Sequence, residues 1–171
     1  MVLFFIYTHD LIQEAVKMET SLLAERRKET TEDGKEKSRF MELVMDEEYD
    51  VLFRRLFLQA HADLMTKIPG KYLAETPTDL RPVFREFPDF HSDRDFCLWL
   101  NMQESFVKNY RKSVDVLIEQ FLIDYICWRW FETKLPKEAM TYFERMENTK
   151  IKILDMLGKR SGDLRRLPSF P

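Results

Sequence analysis

The sequence holds three histidines, the side chain best suited to proton transfer and metal binding near neutral pH: His9, His61 and His91. His9 is followed by Asp10, and His91 begins the polar run 91–95, so both lie among residue types that bind metals. Neither has a second set of ligands at a fixed spacing. We therefore interpret His9 as a residue at a helix start and residues 91–95 as a polar turn. We interpret His61 as a partly buried, hydrogen-bonded histidine beside an apolar helix face.

A pair of metal ions bridged by carboxylates would need Glu-x-x-His on two helices, but Leu58 lies three positions before His61. Cys97 and Cys127 lie thirty residues apart in aromatic surroundings, which disfavours a zinc site, a CxxC pair and a reactive thiolate alike. The sequence also lacks a Gly-rich phosphate loop, a GxSxG elbow and an HExxH helix. These patterns predict that the protein is not an enzyme and that it binds no metal or cofactor.

Two segments favour interaction with a partner over catalysis, and the first is Trp128-Arg129-Trp130-Phe131. Consecutive residues point around a helix, so these aromatic side chains cannot all face one core stripe. Because Trp and Arg are the residue types that anchor interfaces, we predict that Trp128, Arg129 and Trp130 bind a partner. The alternative is that the cluster closes the end of a helical bundle against Leu135 and the preceding excursion.

The second segment is the C-terminal tail, residues 159–171, where four basic residues face a single acidic one. We predict that Arg165, Arg166 and Phe170 bind a neighbouring protein molecule, and the alternative is a solvated chain end. The net charge of −3 divides into +3 on the tail and −6 on the rest of the chain, which argues against a broad basic face for nucleic acid.

The 171 residues are 44% hydrophobic and 33% charged with only four glycines, a composition typical of one helix-rich folded domain. The apolar run 2–7 lacks a basic flank and is shorter than the core of a signal peptide, so we expect it to belong to the fold. No segment approaches the roughly 18 consecutive apolar residues that a membrane-spanning helix requires. We expect a cytoplasmic protein with no membrane contact.

Four helices are predicted to position these side chains, at about residues 8–32, 46–68, 103–133 and 136–157. Acidic residues at 46–50 and the Pro69-Gly70 pair bound the second helix, and Pro136 fits the first turn of the fourth. The short joint before Pro136 predicts that the third and fourth helices are antiparallel neighbours, with the third central. The predicted fold is mainly α, a four-helix bundle over residues 1–158 followed by the basic tail.

The first predicted helix carries apolar residues at three- and four-residue spacing. Thr8 or Asp10 is expected to cap its start, and Gly34 to supply a stop. We assign its apolar residues to a single stripe: Leu11, Ile12, Ala15, Val16, Met18, Leu22 and Leu23.

A long excursion, residues 69–94, separates the second and third helices, because four prolines exclude a regular helix there. Two short aromatic and apolar segments, 83–87 and 96–100, flank the polar run 91–95 and favour a small β-hairpin. A connection of this length without structure is unusual in a compact domain, so we expect it to be partly ordered.

Three stretches resemble small uncharacterised helical proteins of bacterial prophages and related mobile elements. They are residues 46–55 (DEEYDVLFRR), residues 125–131 (YICWRWF) and residues 165–168 (RRLP). The resemblance covers about half of the chain in pattern and implies no site residue, since none of these stretches is a specific functional motif. It implies a virion-assembly or head-to-tail connecting role, in which small helical subunits pack into rings.

These observations favour a non-enzymatic interaction or assembly protein that forms homo-oligomers, with a phage-type structural or head-tail connecting subunit as its specific form. The alternative is a nucleic-acid-associated accessory protein that uses the basic tail on phosphates. A third hypothesis is an enzyme with a site in the excursion, built on His91, Asp93 and Asp95.

Overall fold

The computed structural model describes residues 2–29, 43–76, 81–91, 94–102 and 104–158. Two single-turn 3-10 helices, Glu47–Tyr49 and Gly70–Tyr72, accompany the longer elements. Those elements follow in the order β1 (Val2–Tyr7), α1 (His9–Glu29), α2 (Asp50–Lys67), α3 (Arg81–Glu86), β2 (Phe96–Asn101), α4 (Glu104–Phe131) and α5 (Pro136–Gly158).

The four long helices lie where their sequence signals predict them, to within a few residues at each end. The Thr8 hydroxyl accepts a hydrogen bond from the Leu11 amide at 3.3 Å, which confirms Thr8 as the cap of α1. The Asp46 carboxylate accepts from the Glu48 amide at 3.2 Å and starts the 3-10 turn before α2. Pro136 opens α5 as predicted, since the first turn of a helix needs no amide hydrogen from it.

The chain is mainly helical, and α4 is its central element. This helix contacts α1, α2, α5 and β1, and its contact with α5 is the most extensive in the fold. Residues 132–135 join the two helices, which run antiparallel as predicted, because Phe131 faces Tyr142 while Asp124 faces Arg145 farther along. The four-helix bundle stays a prediction. Within the described ranges, no helix has the length and hydropathy that crossing a membrane requires.

The predicted β-hairpin is wrong in its pairing, although one of its two segments is a strand. Residues 96–101 form β2, but its antiparallel partner is β1 near the start of the chain, with Leu3 opposite Leu100 and Tyr7 opposite Phe96. Residues 81–86 form the short helix α3 instead. The apolar run 2–7 alternates between inward and outward side chains, so pairing it with β2 buries Leu3, Phe5 and Tyr7 against the helices.

The excursion is partly ordered, as predicted, and it covers the outer face of this sheet. Val83 and Phe90 form a second small core with Trp99 of β2, and the half-buried Phe4 and Ile6 pack against it. The Ala74 amide donates to the Trp99 carbonyl at 3.0 Å and attaches the excursion to the edge of β2. The sheet therefore lies between the main helical core and a smaller apolar cluster.

Candidate functional site

Trp130 lies buried at the C-terminal end of α4, in the segment that sequence patterns assign to a partner. Its indole N–H donates to the Leu43 carbonyl at 2.7 Å, and its ring meets Tyr49 edge to face with centroids 4.7 Å apart. The ammonium group of Lys134 lies 3.2 Å from the centre of the indole ring. The indole N–H of Trp130 is therefore hydrogen-bonded within the chain. Its ring also makes an aromatic contact with Tyr49 and a cation–π contact with Lys134.

Trp128 and Arg129 lie closer to solvent but also have contacts within the chain. The half-buried Trp128 ring packs between Tyr125 and Phe143, with centroids 5.4 and 5.0 Å away. Arg129 is exposed, lies over the Trp128 ring and pairs with Glu132 at 2.7 Å. We call Trp128, Arg129, Trp130 and Phe131 the aromatic end of α4. The aromatic rings of this segment pack against Tyr49, Tyr142 and Phe143 of the same chain. This packing agrees with the alternative hypothesis, in which these residues cover one end of the helical core and bind no partner.

A groove of about 320 Å³ runs beside the aromatic end, between α2 and the last turn of α4. Its apolar wall includes Leu52, Leu56 and Trp130, and Arg55 and Arg129 supply positive charge at its rim. Arg129 pairs with Glu132, but the lining also includes Arg55 and Lys134, so its charged side chains sum to +2. Arg165, Arg166 and Phe170, the other residues assigned to partner binding, lie outside the described residues.

A polar cluster at the start of α1 joins three segments that the sequence keeps far apart. The Asp95 carboxylate accepts from the backbone amides of His9 at 2.8 Å and His91 at 2.7 Å. The two nitrogens of the buried His9 ring lie 3.2 Å from Asp10 and 3.4 Å from Asp50. His9 therefore does more than start a helix, because it ties α1 to the first turn of α2. The turn prediction for residues 91–95 misses this role of Asp95.

A second polar cluster joins α1, α4 and α5 inside the helical core. The Asp124 carboxylate is buried 3.1 Å from the Arg145 guanidinium, and Glu19 accepts from the Tyr142 hydroxyl at 3.2 Å. Burial raises the pKa of Asp124 to about 6, although the charge of Arg145 acts in the opposite direction. Burial also raises the pKa of Tyr142. These groups hold three helices together rather than open a site to solvent.

The remaining titratable side chains that sequence patterns single out have environments that disfavour charge. The His61 ring packs on Phe96 with centroids 3.6 Å apart, and burial lowers its pKa to about 4. Burial raises the pKa of the Cys97 thiol to about 12 and raises that of Cys127 as well. Among the described residues, no three His, Cys, Asp or Glu side chains are grouped so that they could bind one metal ion.

Within the part of the chain that the structure describes, an exposed apolar surface lies on α1, where the single predicted stripe divides into two. Ile12 and Val16 are buried in the core. Leu11, Met18 and Leu22, which the sequence assigns to the same stripe, remain 50%, 62% and 43% exposed. Positions 11, 15, 18 and 22 share one face of a helix, so these three residues and the half-buried Ala15 form a continuous line. We call this line the outward stripe of α1.

Acidic and α5-facing residues border the outward stripe on its two sides. Glu14 and Glu25 are exposed along one border, and among the residues that the structure describes neither carboxylate takes part in an ion pair. On the other border Glu19 reaches α5 through Tyr142 and Arg145. The exposed Arg26 lies four residues after Leu22, at the end of the same face, so charges of both signs border the stripe. The stripe can therefore offer aliphatic contact with charged residues at its edges, as protein interfaces commonly do.

Sequence reasoning missed the outward stripe because Leu11, Met18 and Leu22 continue the same three- and four-residue spacing as the buried positions. The only signal for two faces was the width of the apolar band, which is broader than one contact with a core needs. No family model, no curated protein and no solved structure matches this chain, so the resemblance to prophage proteins stays a prediction.

Proposed function

We propose that the protein is a non-enzymatic assembly protein that self-associates through the outward stripe of α1. The observation that carries the proposal is the exposure of Leu11, Met18 and Leu22 along one line of a well-formed helix. A phage-type structural or head-tail connecting subunit, with its long helices in a four-helix bundle and acting in the cytoplasm, is the specific form of the proposal.

The spacing of the stripe suits helix-mediated recognition. Helices that bind in apolar grooves use anchors at positions i, i+3, i+4 and i+7, and positions 11, 15, 18 and 22 follow this spacing over three turns. Full burial of a Leu or Met side chain stabilises a complex by about 1.5–3 kcal/mol. Covering the exposed parts of three such side chains therefore supports reversible association rather than an obligate complex.

The test is the molar mass of the full chain, measured by light scattering after size exclusion over a range of loading concentrations. The wild type should form a multimer whose population grows with concentration. Met18→Glu combined with Leu22→Glu should shift the midpoint of association at least tenfold upward, because two charges then have to enter the interface. Both positions are exposed, so the helix content of the variant should match that of the wild type.

Leu58→Glu provides a matched control on α2. Leu58 is 48% exposed, close to the values along the stripe, and it also lies within a long helix. This variant should associate like the wild type. A wild type that stays monomeric at every concentration, or a Leu58→Glu variant that dissociates as much as the stripe variant, would contradict the proposal.

A further inference from the structure

The groove beside the aromatic end of α4 lies between two walls of the same chain. Its α2 wall occupies positions i, i+3, i+4 and i+7 of one helix face, and its residues are Leu52, Arg55, Leu56 and Gln59. Residues within 129–134 form the opposite wall. The volume of about 320 Å³ falls in the range of about 300–1,000 Å³ that small-molecule clefts occupy. The groove is therefore large enough to hold one small organic molecule.

The lining of the groove joins apolar surface to an excess of positive charge. Leu52 is 39% exposed, so it offers aliphatic surface to a ligand. Of the described residues that line the groove, Glu132 is acidic, and the basic ones are Arg55, Arg129 and Lys134. A bound anion would offset part of the net charge of +2 while its apolar body covers the aliphatic surface.

Two of the three basic side chains are held in place by contacts within the chain. Arg129 pairs with Glu132 at 2.7 Å, and the Lys134 ammonium lies 3.2 Å from the centre of the Trp130 indole ring. Holding them before a ligand arrives lowers the entropy that binding costs. With the other described residues Arg55 forms no ion pair, so its planar guanidinium can donate two parallel hydrogen bonds to a carboxylate.

The C-terminal end of α4 lies at the same wall and acts against an anion, because a helix dipole places roughly half a negative charge there. Hydrogen bonds compensate part of that charge, since the Phe131 carbonyl accepts from the amides of Lys134 at 3.1 Å and Leu135 at 2.8 Å. The net charge of +2 on the lining side chains is also the larger of the two. The groove therefore favours an anion over a neutral molecule of the same shape.

We propose that the groove between α2 and the turn after α4 binds a small organic carboxylate with an apolar body. The carboxylate accepts hydrogen bonds from Arg55 and faces Lys134, and the apolar body covers Leu52. The rings of the aromatic end already pack within the chain, which leaves a cleft beside them rather than a protruding anchor for another protein. The site is separate from the outward stripe of α1, so it does not depend on self-association.

The test is a titration of the full chain with phenylpropionate, followed by the indole N–H signals in NMR spectra at a concentration where the chain is monomeric. The sequence has three tryptophans, so Trp99→Phe and Trp128→Phe assign two signals and leave the third to Trp130. Phenylpropionate should shift the Trp130 signal until the site is saturated. Phenylpropionamide, which keeps the ring but has no charge, should bind at least tenfold more weakly.

Arg55→Gln should weaken the binding of phenylpropionate at least tenfold and leave that of phenylpropionamide unchanged, because only the carboxylate uses the guanidinium. Arg54→Gln is the matched control. Arg54 is exposed like Arg55, but it is absent from the lining and points about 100° away around the helix. This control should bind phenylpropionate like the wild type. Circular dichroism should give the same helix content for both variants, since both positions are exposed.

Three results would overturn the inference: a Trp130 signal that phenylpropionate does not shift, equal binding of the acid and the amide, or an equal loss of binding in Arg54→Gln and Arg55→Gln. A Trp130 signal that moves with protein concentration in the absence of phenylpropionate would also overturn it, because a second copy then covers the groove. Saturable, Arg55-dependent binding by a chain that never self-associates would support the inference and contradict the proposed function alone.

Discussion

The aromatic end of α4 and the outward stripe of α1 are both apolar, but they differ in what surrounds them. At the aromatic end, Trp130 is buried and its indole N–H donates to Leu43, while Trp128 packs on Phe143. On the stripe, Met18 and Leu22 keep much of their side chains exposed. Large aromatic rings reach several neighbours at once, and here those neighbours belong to the same chain. Residue type thus indicates how much area can be buried, whereas neighbours decide whether that area is already covered.

The comparison predicts the largest loss of stability at the aromatic end. Trp130→Ala should lower the free energy of unfolding by about 3–5 kcal/mol, because it leaves a cavity and removes the donor to the Leu43 carbonyl. Trp128→Ala should cost less, since that ring is only half-buried. Urea denaturation followed by circular dichroism gives both values. A Trp130→Ala chain with wild-type stability but no self-association would reverse the roles of the two regions.

A change in stability of intermediate size is expected at Asp124, which lies in the polar cluster that joins α1, α4 and α5. Asp124 has its pKa raised to about 6 from 3.8, so its protonated form stabilises the fold fully below about pH 3.8. That contribution is lost as the pH rises through about 6. Asp124→Asn should remove this loss, and the wild type should fall by on the order of 2–3 kcal/mol more than the variant between pH 4 and pH 7.

Denaturation midpoints measured at several pH values would check this difference. Asp89→Asn is a suitable control, because it makes the same substitution at an exposed residue outside the core. Parallel pH profiles for the wild type and Asp124→Asn would mean that the carboxylate is already solvated, and that α1 is held less tightly beside the stripe than the geometry indicates.

The smallest change in stability is expected on the stripe itself. Met18→Gln should alter the free energy of unfolding by no more than about 0.5 kcal/mol, because the side chain is 62% exposed and both residues favour helices. Urea denaturation at a concentration below that of self-association measures it. A loss comparable with that of Trp130→Ala would show that the stripe is covered in solution by the chain itself.

The helical elements could be predicted from sequence because their signals are local. Thr8, the acidic residues before α2, Pro69 and Pro136 each act within one turn, and α1, α2 and α5 begin or end beside them. The pairing of β2 could not be predicted in this way. Segments 83–87 and 96–100 are close in sequence, but the partner of β2 lies about ninety residues before it, and only burial of Leu3, Phe5 and Tyr7 selects that partner.

The candidate site was less predictable than the fold. The residues predicted to bind a partner include two tryptophans, Trp128 and Trp130. The structure buries Trp130 almost completely. The stripe residue Met18 has no unusual neighbour in the sequence. Its exposure depends on how far α1 is rotated against α4, a property set by Ile12 and Val16 together with the Glu19 contact to Tyr142. A single sequence contains these residues but does not fix the rotation.

The pairing of β1 with β2 also has a consequence during synthesis of the chain. About ninety residues separate the two strands, and a ribosome adds about 5–20 residues per second. The strand β1 (VLFFIY) is therefore synthesised roughly 5 to 20 s before its partner strand β2. Six apolar residues without a charge or a proline are the kind of segment that chaperones hold and that aggregates when left free. A charged residue in place of the exposed Val2 should thus alter the yield of soluble protein with little effect on the stability of the finished fold, whereas substitutions at the buried Leu3, Phe5 or Tyr7 should lower both.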